Sequence, residues 1–190
     1  MTVSETAVQP PRRRLFLALY PTLDERRRLL ASITEHTPGL LVERVRPVPI
    51  ENLHMTLVFL GSVAAPVQSC VEQVAATIDL PAMTVALDRL GYWPRKRMLW
   101  AIPDPATVPE ALLHLVTALN DGLAACDVAL EQRDYRPHVT LARRLDHTPR
   151  CGHFPPVEWR FGQFALMESV STPSGVRYPV LKTWALKDSG

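Results

Sequence analysis

The chain says one thing twice: His54-Met55-Thr56-Leu57 returns as His138-Val139-Thr140-Leu141. Both copies sit in apolar surroundings rich in strand-forming residues, the first running on through Val58, Phe59 and Leu60 to Gly61. Side chains two apart share one face of a strand. His54 and Thr56 therefore point the same way, and His138 and Thr140 repeat that geometry. A single histidine in an apolar strand is ordinarily a hydrogen-bonded core residue. Two copies 84 residues apart (138 − 54) instead suggest an internal duplication, a site built twice and facing itself across a cleft.

The rest of the chain must supply a core for such a site. With 190 residues, 47% hydrophobic and 21% charged, it reads as a soluble globular protein with room for one large domain or two small lobes. A net charge of +2 permits a nucleic-acid partner without demanding one. Of 21 basic residues only Lys96, Lys182 and Lys187 are lysines; arginine suits phosphate contacts, but a genome biased toward arginine codons is the favoured explanation. Cys70, Cys126 and Cys151 form an odd, scattered set, which predicts a reducing compartment and no disulfide. Cys151-Gly152-His153 lacks a second metal-binding half and reads as a loop. The apolar run after Arg12-Arg13-Arg14 stops at Tyr20, too short for an export signal, and no stretch is long enough to span a membrane. The expected location is the cytoplasm.

In chain order, residues 1–12 read as a flexible tail before a single domain over 13–190. Leu15 to Tyr20 is a buried strand. Thr22 and Glu25 form a capping box opening a helix to about His36. Arg44 to Val48 is a short extended segment, and the strand of the first motif ends at Gly61. Pro66 suits the first turn of a second helix, with Val67, Val71, Val74 and Ile78 at helical spacing. Met83 to Leu90 and Met98 to Ile102 read as a hairpin joined by the turn Gly91 to Arg97. Thr107 and Glu110 suggest another capping box, opening a helix with Leu112, Val116, Leu119 and Leu123 on one stripe and His114 off it. Residues 145–160, with three prolines, read as loop. Phe161 to Ser171 and Val176 to Leu186 make a last pair of strands turning at Pro173-Ser174-Gly175. Hairpins outnumber parallel crossovers, so the class is α+β with mainly antiparallel sheet. Neither a phosphate-binding glycine loop nor a dinucleotide fingerprint is present in the sequence.

Paired imidazoles suit acid–base cleavage of a phosphodiester. One takes a proton from the attacking oxygen and the other gives one to the departing oxygen across phosphorus. Two threonine hydroxyls can hold the non-bridging oxygens. This set calls for no metal, cofactor or covalent intermediate, and water is the nearest nucleophile.

At these residues the chain resembles the 2H phosphoesterases, and within them the RNA 2',3'-cyclic phosphodiesterases, also called 2'-5' RNA ligases. The likeness runs from about Arg13 to Leu186. It rests on both His-x-Thr-Leu motifs, RLFLALYP at 14–21, ENLHMTLVFLG at 51–61, LGYWPRKRMLW at 90–100, RPHVTLAR at 136–143 and the spacing of Ser169, Gly175 and Tyr178. Members often carry a tryptophan shortly before the first motif, where this chain has Arg46-Pro47. The resemblance implies two lobes related by a pseudo-twofold axis, mainly antiparallel sheets with flanking helices, and both motifs on the floor of the groove between them. It implies hydrolysis of terminal RNA 2',3'-cyclic phosphates, those of tRNA fragments included, to 2'-phosphates, and weak ATP-independent 2'-5' joining. It also implies that His54 is the acid at the leaving 3'-oxygen and His138 the base on water, with Thr56 and Thr140 binding phosphate. The near-symmetry of the motifs leaves the acid and base assignment open from the residues themselves.

Other candidates for RNA contact are Arg136, Arg143, Tyr92, Trp93, Arg95, Lys96 and Arg97. Strict alternation turns Arg143 away from His138, so it reaches the groove only if the strand bends or ends at Ala142. The 91–97 turn is equally readable as a solvated hairpin tip. Tyr135 and Phe16 read as packing residues. Competing functions are a phosphodiesterase for a small cyclic or 2'-5'-linked nucleotide, and a non-catalytic RNA-binding module. The default assembly is a monomer.

Overall fold

In a computed structural model of the chain, residues 11–38, 40 and 46–188 are described. The expected tail lies almost wholly outside them, as does the start of the Arg44–Val48 segment. The elements run β1 (Arg13–Leu19), α1 (Leu23–His36), β2 (Arg46–Pro47), β3 (Met55–Val63), α2 (Ala65–Ala76), β4 (Met83–Trp93) and β5 (Met98–Ile102). They continue with α3 (Glu110–Leu123), β6 (Val139–Arg143), β7 (His153–Phe161), β8 (Gln163–Glu168), β9 (Val170–Thr172), β10 (Gly175–Arg177) and β11 (Val180–Ala185). The described residues form an α+β fold, three α-helices on a large antiparallel sheet.

The main sheet has the order β11-β8-β1-β3-β6-β5-β4-β7, with β2 beside β6, while β9 and β10 form a separate hairpin. The two motif strands, β3 and β6, are therefore the central pair. They meet at one registered pair, Met55 opposite Val139. Outward from this seam each half continues for three more strands. Strand β1 shows how both faces are used. Leu15, Leu17 and Leu19 enter the main core, while Phe16 and Ala18 join a smaller cluster with Ala165 and Met167 on the other face. Burying each such aliphatic side chain contributes roughly 1.5–3 kcal/mol. Helix α1 lies against β7, and α2 packs on α3.

The Thr22–Glu25 capping box forms as expected, Thr22 Oγ1 accepting from the Glu25 amide and the Glu25 carboxylate accepting from the Thr22 amide. Burial raises the Glu25 pKa, but hydrogen bonds from the Arg160 amide and from Thr22 outweigh it and leave the carboxyl below its ordinary value. Pro66 sits in the first turn of α2. The α3 stripe is buried and His114 exposed.

Several expectations need correction. The Thr107–Glu110 box does not form. Thr107 belongs to a 3-10 turn capped by Asp104, and α3 starts after Pro109 without a side-chain cap. Residues 153–161 are a nine-residue strand. Pro155 and Pro156 are tolerated there because β7 is an edge of the sheet. Gly91, Tyr92 and Trp93 extend β4, so the turn shrinks to residues 94–97, with Arg97 in the left-handed region at φ 50°. Gly61 does not end β3. Its φ of 73° kinks the strand beside a register shift, and pairing continues to Val63. The last two long strands are split, β8 pairing with β1 and β11, and β9 with β10.

The cysteine expectation is also overturned. Cys70 of α2 and Cys126, just beyond α3, form a disulfide with Cα atoms 5.6 Å apart, leaving Cys151 free and exposed. Helical spacing hid the pair, since only the packing of α2 on α3 brings them together.

Candidate active site

Each motif histidine stands one residue before its strand, and each is fixed in the same way. His54 Nδ1 donates to the carbonyl of Asn52 at 2.7 Å, and His138 Nδ1 donates to the carbonyl of Arg136 at 2.7 Å. A carbonyl only accepts, so Nδ1 carries the proton in both neutral rings and leaves Nε2 for the groove. Thr56 Oγ1 lies 3.2 Å from His54 Nε2, as strand alternation predicts. Aromatic rings pack around both imidazoles. Phe16 and Tyr178 lie 4.9 and 5.0 Å from His54, and Trp93 and Trp100 lie 4.9 and 6.1 Å from His138, centroid to centroid.

A groove of about 560 Å³ brings the two motifs together, its lining including His54, Thr56, His138, Thr140 and Arg143. Trp93 and Lys96 form part of one wall, and Ser169, Ser171, Val176 and Tyr178 part of another. An adjoining cavity of about 280 Å³ shares Thr56, Phe59, Trp93 and His138 and adds Asn120 and Arg136. Tyr92 packs against the core. Arg97 is tied to Asp146 and the Leu145 carbonyl, and neither it nor the exposed Arg95 lines the groove.

The presence of Arg143 has a local cause. Between β5 and β6 the register jumps from Leu99–Ala142 to Trp100–Thr140, leaving Leu141 as an extra residue. Such a bulge inverts the alternation beyond it, so Arg143 returns to the face of His138 and Thr140. Its Nη1 lies 3.3 Å from Met98 Sδ, and Thr140 Oγ1 lies 3.7 Å from the same sulfur. The first motif does the same. Between β1 and β3 the register jumps at Leu57, and Phe59 emerges into the groove 45% exposed. Phe59 was missed in the sequence. The available signal was its spacing, five residues after His54, as Arg143 is five after His138. Tyr135 packs partly buried, and its hydroxyl donates to the Thr56 carbonyl at 3.1 Å, bracing the first motif from the second. Burial raises its pKa.

Burial is also the largest influence on both imidazoles and lowers both pKa values. His54 falls to about 4, the Asn52 carbonyl opposing the shift while Arg143, His138 and Arg26 add to it. His138 is lowered with Arg133, Lys96 and Arg143 contributing, against the Arg136 carbonyl. The groove thus favours neutral rings and concentrates positive potential, the electrostatic setting an anionic ligand complements. Among the described residues no group of three or more His, Cys, Asp or Glu side chains is placed to hold a metal, and no helix is long and apolar enough to cross a membrane.

Paired His-x-Thr strands at the centre of an antiparallel α+β sheet place the chain in a known class: it belongs to the 2'-5' RNA ligase superfamily, whose family profile matches residues 20–173. These are 2H phosphoesterases. Among its relatives, the RNA 2',3'-cyclic phosphodiesterase of Escherichia coli (strain K12) is 33% identical over 176 residues, 91% of this chain and 96% of the relative. The RNA 2',3'-cyclic phosphodiesterase of Thermus thermophilus is 30% identical over 191 residues, 92% of this chain and 90% of the relative. The crystal structure of E. coli LigT complexed with 3'-AMP superposes with a TM-score of 0.82 at 30% identity, covering 92% of this chain and 98% of that one.

Proposed function

We propose that the chain hydrolyses RNA 2',3'-cyclic phosphate ends to 2'-phosphates without a metal, His138 acting as base and His54 as acid. The observation that carries this reading is the matched fixing of both Nδ1 atoms by carbonyls, which directs two Nε2 atoms into one groove with two hydroxyls and Arg143. His138 Nε2 takes a proton from water as its oxygen bonds to phosphorus. The P–O3' bond breaks, and protonated His54 Nε2 passes its proton to O3'. Thr56, Thr140 and the Arg143 guanidinium bear the charge on the non-bridging oxygens. Phe59 offers a ring face to the terminal base. The phosphodiester anion raises both imidazole pKa values against the surrounding cations, which makes one protonated ring available near neutrality.

The symmetric strand order and the matched bulges support two pseudo-twofold lobes within the domain. Weak 2'-5' joining follows if a sugar 5'-hydroxyl replaces water. The test is an RNA oligomer with a 2',3'-cyclic phosphate end, incubated with the protein in EDTA, the product mapped as 2'- or 3'-phosphate. The expected product is a 2'-phosphate, abolished by His54→Ala and by His138→Ala, with a bell-shaped pH profile. Dependence on an added divalent ion would sink the two-histidine mechanism.

A further inference from the structure

The two imidazoles are fixed alike at Nδ1 but supported differently. Behind His138 stand Trp100 of β5 and Trp93 of β4, both strands of the main sheet. Against His54 stand Phe16 of β1, again a main-sheet strand, and Tyr178, one residue beyond the β9–β10 hairpin, which forms its own two-stranded sheet. Ser171 and Val176 of that hairpin line the groove. The connection between hairpin and histidine is Asn52, only 7% exposed. Its backbone carbonyl accepts the Nδ1 proton of His54 at 2.7 Å, and its side-chain amide donates to the Val176 carbonyl at 2.7 Å. One residue thus grips the ring with its main chain and the groove wall with its side chain. Among the described residues no such link serves His138, whose carbonyl partner belongs to the exposed Arg136.

We infer that Asn52 is a positioning residue which ties the β9–β10 hairpin to His54, so that substrate seated against the hairpin sets the aim of that imidazole. The inference rests on the proposed hydrolysis for its kinetic consequence, but the link itself is testable without turnover. Rotation of the 50–52 turn displaces the Asn52 carbonyl and with it the ring. A misplacement of about 1 Å at a proton-transfer group costs on the order of a hundredfold in rate. The side-chain amide is the only part of Asn52 that a substitution removes, since the carbonyl to His54 is main chain.

Asn52→Leu keeps the branching and heavy-atom count and deletes the donor; Asn52→Gln restores an amide. Three readouts are followed: kcat and KM on a cyclic-phosphate RNA dinucleotide, the pH profile, and the imidazole proton signals with and without a nucleoside 2'-monophosphate. Asn52→Leu is expected to lower kcat ten- to a hundredfold with KM within about twofold, and Gln to recover part of it. The Nδ1 proton of His54 should broaden in the Leu variant while that of His138 stays unchanged. Equal disturbance of both rings, or a KM change at constant kcat, overturns the inference. Should Asn52→Leu not fold, Asn52→Ser, too short to reach Val176, takes its place with the same readouts. A wild type without turnover would refute the hydrolase reading and leave the imidazole signals to decide the link.

Discussion

Arg143 and Phe59 occupy equivalent positions in the two motifs, yet one is a cation and the other an aromatic ring. On the proposed reading that difference gives an otherwise symmetric site a polarity, a guanidinium for phosphate on one side and a stacking face on the other. Arg143→Lys keeps the charge but loses the planar fork, and should cut kcat/KM roughly a hundredfold in the cyclic-phosphate assay. Phe59→Leu should act mainly on KM, by about three- to tenfold, in the same assay. His54 leaves a mark on stability as well. Its pKa falls from 6.5 to about 4 on folding. The unfolded chain therefore binds a proton that the folded chain refuses between those values, so stability is complete above pH 6.5 and declines as pH falls toward 4. The loss amounts to at most about 3 kcal/mol. Unfolding titrations of wild type and His54→Gln should converge as the pH is lowered through this window.

At the scale of strands and turns, what matters most is where alternation fails. Two bulges, at Leu57 and Leu141, carry Phe59 and Arg143 into the groove. The His-x-Thr geometry was legible in the sequence because it needs only period-two alternation over three residues. Alternation alone neither decides Arg143 nor reveals Phe59, because a bulge depends on the partner strand. Prolines 155 and 156 misread as loop for a related reason, since edge position is a property of the sheet order. Gly91 shows the same dependence on a neighbour. A Cβ there would come within 2.6 Å of the Trp100 ring that flanks His138. Gly91→Ala must push that ring aside, and should lower kcat severalfold and stability by about 1–3 kcal/mol, read by kinetics and thermal melting.

Across the whole molecule, the disulfide closes a loop between residues 56 apart in sequence and staples α2 to the end of α3. The chain-entropy account allows it about 4 kcal/mol at most. Denaturation with and without reductant, against Cys70→Ser, should show a loss of 2–4 kcal/mol with little change in kcat, because neither cysteine lines the groove. Cysteine count and spacing could not disclose this pair, whereas the order of helices and strands was mostly readable from periodicity. The sheet has one further property. Its halves are joined between β3 and β6 by a single registered pair, whereas β1 and β3 pair over seven residues. Among the described strands of the main sheet, ladder pairing is therefore sparsest along the line that separates the two imidazoles. In the proposed hydrolysis phosphorus passes through five-coordination, and the span from attacking to leaving oxygen changes with it. A compliant joint at that line would let the two halves of the sheet follow the reacting atom, and slower amide exchange in β1 than at the β3–β6 junction would be its signature.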